Sequence, residues 1–553
     1  MGSKMPLPLI LACLFTIVVW AATAHAQGRE KASEKDSAPV SSCDQFLPAK
    51  KQVGERSVGP EQCRIVSDEV VFNIKGQKFQ RLELRISGTL EGWAVKQGAR
   101  TNYFNDAPDL IFTQSGNSGP RFKGIGRYDA ATGHGMSLFV PENPADWNGK
   151  LFVTAHGAGP YGAIGTLAPR SPNADFNPLA NLNRYVGLML DRGYAVAHTL
   201  RSTQIAGGDV AVTLDDGTIL PKNNISSHAG FLIDLTWAAE NVLQQKLGRK
   251  SERTYFYGFS AGAMLGRHVQ YQPGLNKGDD GRPVFDGFLL DDAGGGMWLP
   301  VLMVDGKDTL FAGDDRKRFV PQIDLTHQLY LGDSNDFLQK KRENAKILKQ
   351  KALADKHRMY EIRGVSHFDA GQASLPDLVP QTLDLGGLVA SFLDILDRWV
   401  EKGETPPPTR SDLLELGDAG RDNVNENPAI ALPEVACPLG VYYTFPLAHG
   451  TSRRAFQETA FAAFDGINPE PIDGRGKVVD MNGNETRDKR ETLAQAWVRL
   501  GLLKPGEKLT QGKYISCVAN AAAKLVEQGL LPPRSLPYYV NRAAASGVGE
   551  AER

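Results

Sequence analysis

The distribution of apolar positions divides the chain into regions with different periods. From Glu69 to about Phe139, short runs such as RLELRISG alternate apolar and polar residues and are separated by turns rich in Gly and Asn. This period of two is typical of strands. From about Gly149 onward, strand-like and helix-like segments alternate, which indicates a parallel sheet covered by helices. The pattern predicts an α/β fold with a mostly parallel central sheet and a β-rich N-terminal extension.

The alternating region can be divided into individual elements. The predicted strands are 150–156, 194–200, 253–258, 285–292 and 358–364, and the predicted helices are 179–193, 230–248, 261–271, 337–354 and 388–403. In an open parallel sheet, ligands bind beyond the carboxyl ends of the strands. Residues that directly follow these strands are therefore the candidates for a functional site.

Composition and hydrophobic pattern together predict six segments. They are a signal peptide at 1–26, a polar leader at 27–60, a β-rich segment at 61–140, a catalytic α/β core at 141–403, a linker at 404–430 and a mixed C-terminal segment packed on the core at 431–553. The linker is expected where ETPPPTR interrupts the helical pattern, because proline cannot continue a helix. The leader is expected to be mobile because it is rich in Lys, Ser, Glu and Gly.

The first 26 residues have the features of an export signal. Lys4 precedes an apolar run from Leu7 to Ala22, and Ala24-His25-Ala26 supplies the small residues of a cleavage site. We expect cleavage and an exported protein, either periplasmic or secreted. The alternative is a retained N-terminal anchor, because the run is nearly long enough to span a bilayer.

Cysteine usage agrees with an oxidising compartment. Removal of the signal leaves Cys43, Cys63, Cys437 and Cys517, and four cysteines allow three pairings. Their clustering near each end of the chain favours Cys43–Cys63 and Cys437–Cys517 as local disulfides. The alternative is four free buried thiols.

Charge and motif spacing exclude several classes of partner. The 553 residues contain 62 Lys and Arg against 63 Asp and Glu, so no excess of positive charge points to nucleic acid. No Cys or His spacing is typical of zinc. Residues 480–491 resemble a calcium loop, but Glu485 stands where that loop needs glycine. We expect no metal, no cofactor and no membrane partner after signal cleavage, and the sequence does not determine the oligomeric state.

The segment YFYGFSAGAM places Ser260 between a predicted strand and a predicted helix. Its Gly-Phe-Ser-Ala-Gly core has the Gly-x-Ser-x-Gly form of the nucleophile turn in the α/β-hydrolase fold. Small residues allow a sharp turn that exposes the serine oxygen to an imidazole base. Ala261, at the helix start, could donate its amide to an oxyanion. The alternative is a packing serine in a glycine-rich turn.

A second glycine-rich loop follows an earlier strand. HGAGPYG at 156–162 comes directly after LFVTA, where esterases carry the other oxyanion donors. The amides of Gly157 and Ala158 are the candidates. The alternative is a flexible loop without a chemical role.

The general base should follow the serine in the order serine, acid, histidine. His268 lies on the helix after Ser260, and His357 precedes a predicted strand and therefore lies at the wrong edge of the sheet. His367 follows that strand, at the edge where Ser260 is expected. We assign His367 as the base.

The acid is expected on a loop after the strand that precedes the histidine strand. Asp333 and Asp336 lie at the end of the apolar run FVPQIDLTHQLYLG. We choose Asp333 as the residue that orients His367, with Asp336 next. Asp291 and Asp292, one strand earlier, remain an alternative, and each carboxylate could instead lie in a solvated turn.

Three segments carry a resemblance to a known family: YGFSAGAMLGRHVQYQPGLNKGDDGRPVFDGFLLDDAGGG, RMYEIRGVSHFDAG and AIALPEVACPLGVYY. With these segments the chain resembles the large exported bacterial "alpha/beta hydrolase domain" proteins. The similarity extends from about Val140 to the C-terminus. It implies the α/β-hydrolase fold and hydrolysis of an ester-like bond, and it supports the assignment of Ser260 and His367.

These features predict a serine hydrolase that cleaves a carboxylic ester of a small molecule through an acyl-enzyme. A lactonase, an amidase or a hydrolase of C–C bonds in diketones could use the same residues. A binding protein that has lost the chemistry is the alternative from another class, and the presence of the serine, the histidine and both glycine-rich loops argues against it.

Overall fold

The structure is a computed structural model that describes most of residues 41–548. The residues outside the description are 1–40, 98–99, 105–120, 129–134, 156–183, 201–208, 215, 226–228, 260, 272–274, 279, 293–302, 305–306, 309–318, 329–341, 343–344, 351, 366–368, 370–381, 414–428, 444–459, 464–491 and 549–553. The predicted signal peptide and the residues at 480–491 therefore lie outside it.

The described strands are numbered in chain order. They are β1 (Ser41–Ser42), β2 (Lys51–Val53), β3 (Arg56–Val58), β4 (Pro60–Phe72), β5 (Lys78–Gln97), β6 (Arg100–Phe104), β7 (Arg121–Tyr128), β8 (Gly135–Pro141), β9 (Lys150–Ala155), β10 (Ala195–Leu200), β11 (Asp209–Leu214), β12 (Ile219–Ile225), β13 (Arg253–Phe259), β14 (Gly287–Asp291), β15 (Met303–Val304), β16 (Lys307–Asp308), β17 (Gln322–His327), β18 (His357–Ile362), β19 (Gly440–Tyr443) and β20 (Ala460–Ala463).

The described α-helices are numbered in the same way. They are α1 (Arg184–Leu190), α2 (Ala229–Leu247), α3 (Ala261–Tyr271), α4 (Gly386–Lys402), α5 (Pro433–Ala436), α6 (Leu493–Arg499), α7 (Gln511–Glu527) and α8 (Ser535–Ala544). Short 3-10 helices occur at Asp44–Phe46, Pro144–Asp146 and Ala354–Lys356.

One large sheet dominates the fold. Its strands run in the order β18-β17-β14-β13-β9-β10-β8-β5-β6-β12-β11-β7, and β4 and β1 attach beside β5. The six strands from β18 to β10 are parallel to one another, and β8 joins β10 in the antiparallel direction. The mostly parallel central sheet that the sequence predicts is confirmed. The β-rich N-terminal strands extend this same sheet.

The parallel strands are buried on both faces, which explains their continuous apolar runs. In β13, Tyr255 and Tyr257 contribute to one hydrophobic core, whereas Phe256 contributes to the other. The helix α4 packs in the first core, and α2 packs in the second. Gly403 ends α4 in the left-handed conformation, with φ 67°, which glycine adopts without a steric penalty.

Two segments differ from the sequence prediction. Residues 41–60, which composition assigns to the polar leader, contain β1, β2 and β3, and Cys43 is bonded to Cys63 with a Cα–Cα distance of 4.9 Å. The described parts of the predicted linker pair with the edge strand β18: Glu361 donates its amide to Arg410, and Ile430 donates its amide to Glu361, each at 2.9 Å. Most of the described polar residues in these segments are exposed, whereas Phe46 and Ile430 are buried.

The C-terminal segment contributes to the same core as α4. Cys437, after α5, is bonded to Cys517 on α7, with a Cα–Cα distance of 6.0 Å. Trp497 on α6 and Leu530 after α7 pack in the hydrophobic core that contains α4. The described residues from Ser41 onward belong to one compact unit. Among the described helices, none is long and apolar enough to cross a membrane.

Candidate active site

The strand β13 and the helix α3 are separated by one residue, Ser260. β13 ends at Phe259 and α3 begins at Ala261; Ser260 itself lies outside the described residues. A Cβ on Gly258 would lie 2.4 Å from the carbonyl oxygen of Gly262. A Cβ on Gly262 would lie 2.0 Å from the carbonyl oxygen of Ala155. Both distances are far below van der Waals contact. The two glycines of the motif are thus required by close backbone approach, as a sharp strand-to-helix turn demands.

The same contact brings the end of β9 against the start of α3. Ala155 is the last residue of β9 and touches Gly262 in the first turn of α3. The first amides of a helix have no partner within the helix, so Ala261 begins an element that can bind an anion. Gly157 and Ala158, two and three residues after Ala155, lie outside the described residues.

The loops that carry the predicted base and acid leave neighbouring strands. β17 and β18 are adjacent and parallel. The side-chain oxygen of Gln328, just after β17, accepts the amide of Gly364, just after β18, at 2.9 Å. His367, Asp333 and Asp336 lie outside the described residues. The chain segments that lead into them are therefore held together at the edge where β13 ends.

The C-terminal segment packs on the loop that leads to His367. A Cβ on Gly364 would lie 2.9 Å from Cγ2 of Val435 and 3.6 Å from Cβ of Tyr442. Gly364 has φ 74°, which favours glycine. Because this contact leaves no room for a side chain at Gly364, α5 and β19 restrict the backbone three residues before His367.

Asp291 is the last residue of β14, the strand between β13 and β17, and Asp292 directly follows it. Both are buried, and Asp292 has φ 39°, a left-handed conformation that is uncommon for a residue other than glycine. Its Oδ1 accepts the backbone amide of His327 at 3.1 Å, and its own amide donates to Leu325 at 3.0 Å. The alternative acid is thus already engaged in joining β14 to β17.

His327, the last residue of β17, lies between these two carboxylates. Its Nε2 is 3.0 Å from Oδ1 of Asp291, and its Nδ1 is 3.7 Å from Oδ2 of Asp292. Burial lowers the pKa of His327, but Asp292 and Asp291 together raise it to about 9. The neighbouring carboxylates therefore favour the protonated, positively charged form of this imidazole.

Two further groups surround this ion cluster. The hydroxyl of Tyr257 donates to Oδ2 of Asp291 at 2.8 Å, and burial, followed by the charge of Asp291, raises the pKa of Tyr257. Asp369, two residues after His367, is buried and accepts the amide of Leu385 at 3.1 Å. Its charge also favours the protonated form of His327.

Sequence reasoning did not assign a role to His327, Tyr257 or Asp369. His327 follows Ser260 in the chain and is the last residue of an apolar strand. That position, together with the Asp-Asp pair at the end of the preceding apolar strand, is the signal that could have identified it. Tyr257 has no comparable signal, because alternating aromatic residues in a strand are usual for a core.

A second buried histidine lies where the parallel strands begin, at the end of the sheet opposite to His327. His357 is the first residue of β18, and its Nε2 is 2.7 Å from Oδ2 of Asp324. Arg267 on α3 donates to the same carboxylate through Nε at 3.1 Å and through a second nitrogen. Opposite charges lower the pKa of Asp324 despite its burial. His268, the other histidine that the sequence discounted, lies on α3.

No group of three or more Cys, His, Asp or Glu side chains in the described part of the chain is arranged to hold a metal ion.

A comparison with known protein families shows to which family this chain belongs. A family model described as "Alpha/beta hydrolase domain" matches residues 224–540, more than half of the chain. The chain belongs to this alpha/beta hydrolase domain family. The family resemblance that the motifs indicate is thereby confirmed. The match begins before α2 and continues into α8, so it includes the parallel strands after β10 and most of the C-terminal segment.

Several solved structures are similar to this family member. Feruloyl esterase B from Aspergillus oryzae is 11% identical over 41% of this chain and 34% of its own, with a TM-score of 0.19. The LpqC poly(3-hydroxybutyrate) depolymerase from Bordetella parapertussis is 14% identical over 54% of this chain and 95% of its own, with a TM-score of 0.27.

A thermophilic esterase, Est2 from Thermogutta terrifontis, is 16% identical over 49% of this chain and 91% of its own, with a TM-score of 0.28. The chain spans about a third of the length of the feruloyl esterase. Comparison with curated protein sequences finds no match.

Proposed function

We propose that this protein is a serine hydrolase that cleaves carboxylic esters, with Ser260 as nucleophile and His367 as general base. The observation that carries the proposal is that β13 ends at Phe259 and α3 begins at Ala261, while close backbone approach leaves no room for a side chain at Gly258 or Gly262. Close packing of this kind is expected where a serine must be exposed at a strand end. Membership of the alpha/beta hydrolase domain family supports the same reaction class.

The proposed reaction has two halves. In the first, His367 accepts the proton of the Ser260 hydroxyl while the oxygen attacks the ester carbonyl, and the protonated imidazole then gives that proton to the leaving alcohol. In the second, His367 takes a proton from water, which attacks the acyl-enzyme and releases the acid. The amide of Ala261, with those of Gly157 and Ala158, would bind the oxyanion in both halves.

The acid of the proposed triad is Asp333, with Asp336 as the alternative on the same segment. Both follow β17, whose outgoing chain is joined to the one after β18 through Gln328 and Gly364. This neighbourhood supports a carboxylate after β17 as the partner of His367. Asp292 is less suited to the role, since its side chain is bonded to the amide of His327.

We propose that the protein acts outside the cytoplasm and needs no cofactor. The bonds Cys43–Cys63 and Cys437–Cys517 support an oxidising compartment. Mass spectrometry of the protein recovered from a bacterial host would test export: the expected mature chain begins at Gln27, and a chain that retains residues 1–26 would contradict it.

The test of the reaction is covalent labelling combined with kinetics. The mature protein should hydrolyse short p-nitrophenyl esters and should be labelled by a fluorophosphonate probe at Ser260. Ser260→Ala should abolish labelling and lower kcat by several orders of magnitude, because nucleophile and base act as one unit. Ser57→Ala, at an exposed serine in β3, is the control and should leave both unchanged. Folded wild-type protein that is not labelled would refute the proposal.

A further inference from the structure

A buried ionic cluster joins the ends of four consecutive strands of the sheet. We call it the His327 cluster. Its members are Tyr257, Asp291, Asp292, His327 and Asp369. The strands β13, β14 and β17 lie side by side and are parallel, so Tyr257, Asp291 and His327 meet at their carboxyl ends. Asp369 follows β18, the next strand in the sheet.

His327 is the only cationic member of this cluster. Among the residues that the structure describes, the charged or titratable groups that face it are Asp291 and Asp292 from the end of β14, Asp369 from the chain after β18, and Tyr257 through Asp291. The imidazole shows no measurable exposure to solvent. Two or three buried carboxylates without a cation would repel one another in a low-dielectric environment, and a protonated imidazole between them offsets that repulsion.

Three members, Tyr257, His327 and Asp369, lie close in sequence to a residue or segment of the proposed triad. Tyr257 is three residues before Ser260, and His327 is two residues before the segment 329–341 that contains Asp333. Asp369 is two residues after His367, and its Oδ2 binds the amide of Leu385 at the start of α4. The His327 cluster is therefore attached to all three chain segments that the proposed function requires.

The strained backbone of Asp292 is a second, independent feature of this cluster. Its φ of 39° persists because the residue is bonded on both sides, by its amide to Leu325 and by its carboxylate to His327. Strain of this kind occurs where surrounding structure overdetermines a conformation and is concentrated at functional sites.

We propose that the His327 imidazolium is a positioning residue, which holds the chain segments of Ser260, Asp333 and His367 in their productive arrangement. This inference rests on the proposed serine-hydrolase function. His327 does not take part in bond breaking. It acts through Asp291, Asp292 and Asp369. When the imidazole loses its charge, these three carboxylates repel one another.

The inference has a pH-dependent consequence. Because its carboxylate neighbours raise the pKa of His327 to about 9, the imidazolium persists through neutral pH and is lost above it. Reactivity of Ser260 should therefore fall as the pH rises through about 9. The His367 base would cause the opposite effect, a rise in reactivity as it loses its proton at lower pH.

The experiment measures the rate constant for fluorophosphonate labelling of Ser260 from pH 6 to pH 10 in the full mature chain. The variants are His327→Gln, Asp291→Asn and, as a matched control, His357→Gln. His357 is also a buried histidine paired with an aspartate, but it lies at the opposite edge of the sheet. Thermal unfolding and circular dichroism of each variant report whether it is folded.

The wild-type protein and His357→Gln should both lose labelling rate on the alkaline side with a midpoint near pH 9. His327→Gln should label at least about tenfold more slowly at pH 7 and show no alkaline decline. Asp291→Asn, which removes one of the carboxylates that raise the pKa of His327, should move the alkaline midpoint by about one unit toward neutral pH.

A folded His327→Gln protein with the wild-type rate and pH profile would overturn the inference. If His327→Gln does not fold, an Asp291→Asn midpoint that is unchanged would overturn it instead. Wild-type protein that is folded but not labelled at any pH would refute the serine-hydrolase proposal itself, which is a different outcome.

Discussion

Gly258 and Gly262, on either side of Ser260 in the sequence, cannot be replaced by a larger residue without steric overlap. Each lies in backbone contact with another element, and any side chain at either position would overlap a carbonyl oxygen. At this scale the motif is a packing requirement as well as a chemical one, because the same close approach that excludes a side chain also forms the turn around Ser260.

Gly262→Ala should destabilise the protein by about 3 kcal/mol or more, because the new methyl carbon would lie 2.0 Å from the Ala155 oxygen and must displace backbone. Gly512→Ala is the control: a Cβ there meets nothing within 4 Å and lies on α7, where alanine is favoured by up to about 1 kcal/mol. Urea unfolding of both variants measures the difference. Equal stability of the two would show that the backbone at Gly262 is not close-packed.

Asp333→Asn should reduce kcat much more than Asp336→Asn or Asp292→Asn, by roughly 10³-fold to 10⁴-fold. The physical reason is that the carboxylate selects the imidazole tautomer that can accept the serine proton, whereas asparagine stabilises the other one. Steady-state kinetics with p-nitrophenyl acetate measures the ranking. A larger loss in Asp336→Asn would move the role to that residue, and a larger loss in folded Asp292→Asn would place the acid after β14.

At the scale of elements, segments that are far away in sequence pair with the edge strand β18 and pack on the chain that follows it. Arg410 and Ile430 pair with β18, and Val435 and Tyr442 press on Gly364. Arg342 donates to both oxygens of the buried Glu361 at 2.8 and 2.9 Å, which ties the chain after Asp336 to β18. The C-terminal elements thus support the strand that precedes His367.

Tyr442→Ala should lower stability by roughly 2 kcal/mol and reduce kcat/KM for small and bulky esters by the same factor. Tyr442 is partly buried between Gly364 and the Glu434–Arg542 pair, and burial, followed by the charge of Glu434, raises its pKa. Both facts favour a supporting role over a wall of the substrate pocket. Tyr538→Ala on α8 is the control for loss of a partly buried tyrosine. A changed preference between acetate and longer acyl esters, with stability retained, would instead identify a pocket wall.

At the scale of the whole molecule, buried ionisable groups should make stability depend on pH in opposite directions. Burial lowers the pKa of His198 to about 4, with a contribution from Arg81. The folded state then binds fewer protons than the unfolded one, and stability falls as the pH decreases from about 6.5 to 4. Burial raises the pKa of Asp234 to about 7. For this group the folded state binds more protons than the unfolded one, so stability falls as the pH rises toward about 7 and is not affected further above it.

Above neutral pH, His327 should dominate. Its folded pKa of about 9 exceeds the unfolded value of about 6.5, so its stabilising contribution is present below 6.5 and lost as the pH rises through 9. The slope should not exceed about 1.4 kcal/mol per pH unit. Urea midpoints at pH 7, 8 and 9 should decrease in the wild-type protein and stay level in His327→Gln. A wild-type midpoint that is constant over this range would contradict a charged His327.

The parallel strands, the amphipathic α4 and the serine turn could be predicted because their signals are local. An apolar run such as 253–258, a glycine at 403 or a Gly-x-Ser-x-Gly motif depends on neighbours within a few residues. The two disulfide pairs were also predicted from the grouping of cysteines along the chain, and both are present. Polar composition misled the prediction at 41–60 and in the described parts of 404–430. There β1 pairs with β4, β2 pairs with β3, and Arg410 and Ile430 pair with β18.

By itself, the sequence determined the kinds of elements, their order and the chemistry of the residues at each strand end. Only the tertiary structure decided which of those residues meet. His327 lies between two buried carboxylates because β14 lies beside β17 and brings two aspartates to it. Gly364 has no space because a segment about 70 residues later in the chain packs on it. Coulomb energy and steric overlap depend on the distance between two groups in space. For residues so far apart in sequence, their separation along the chain does not determine that spatial distance.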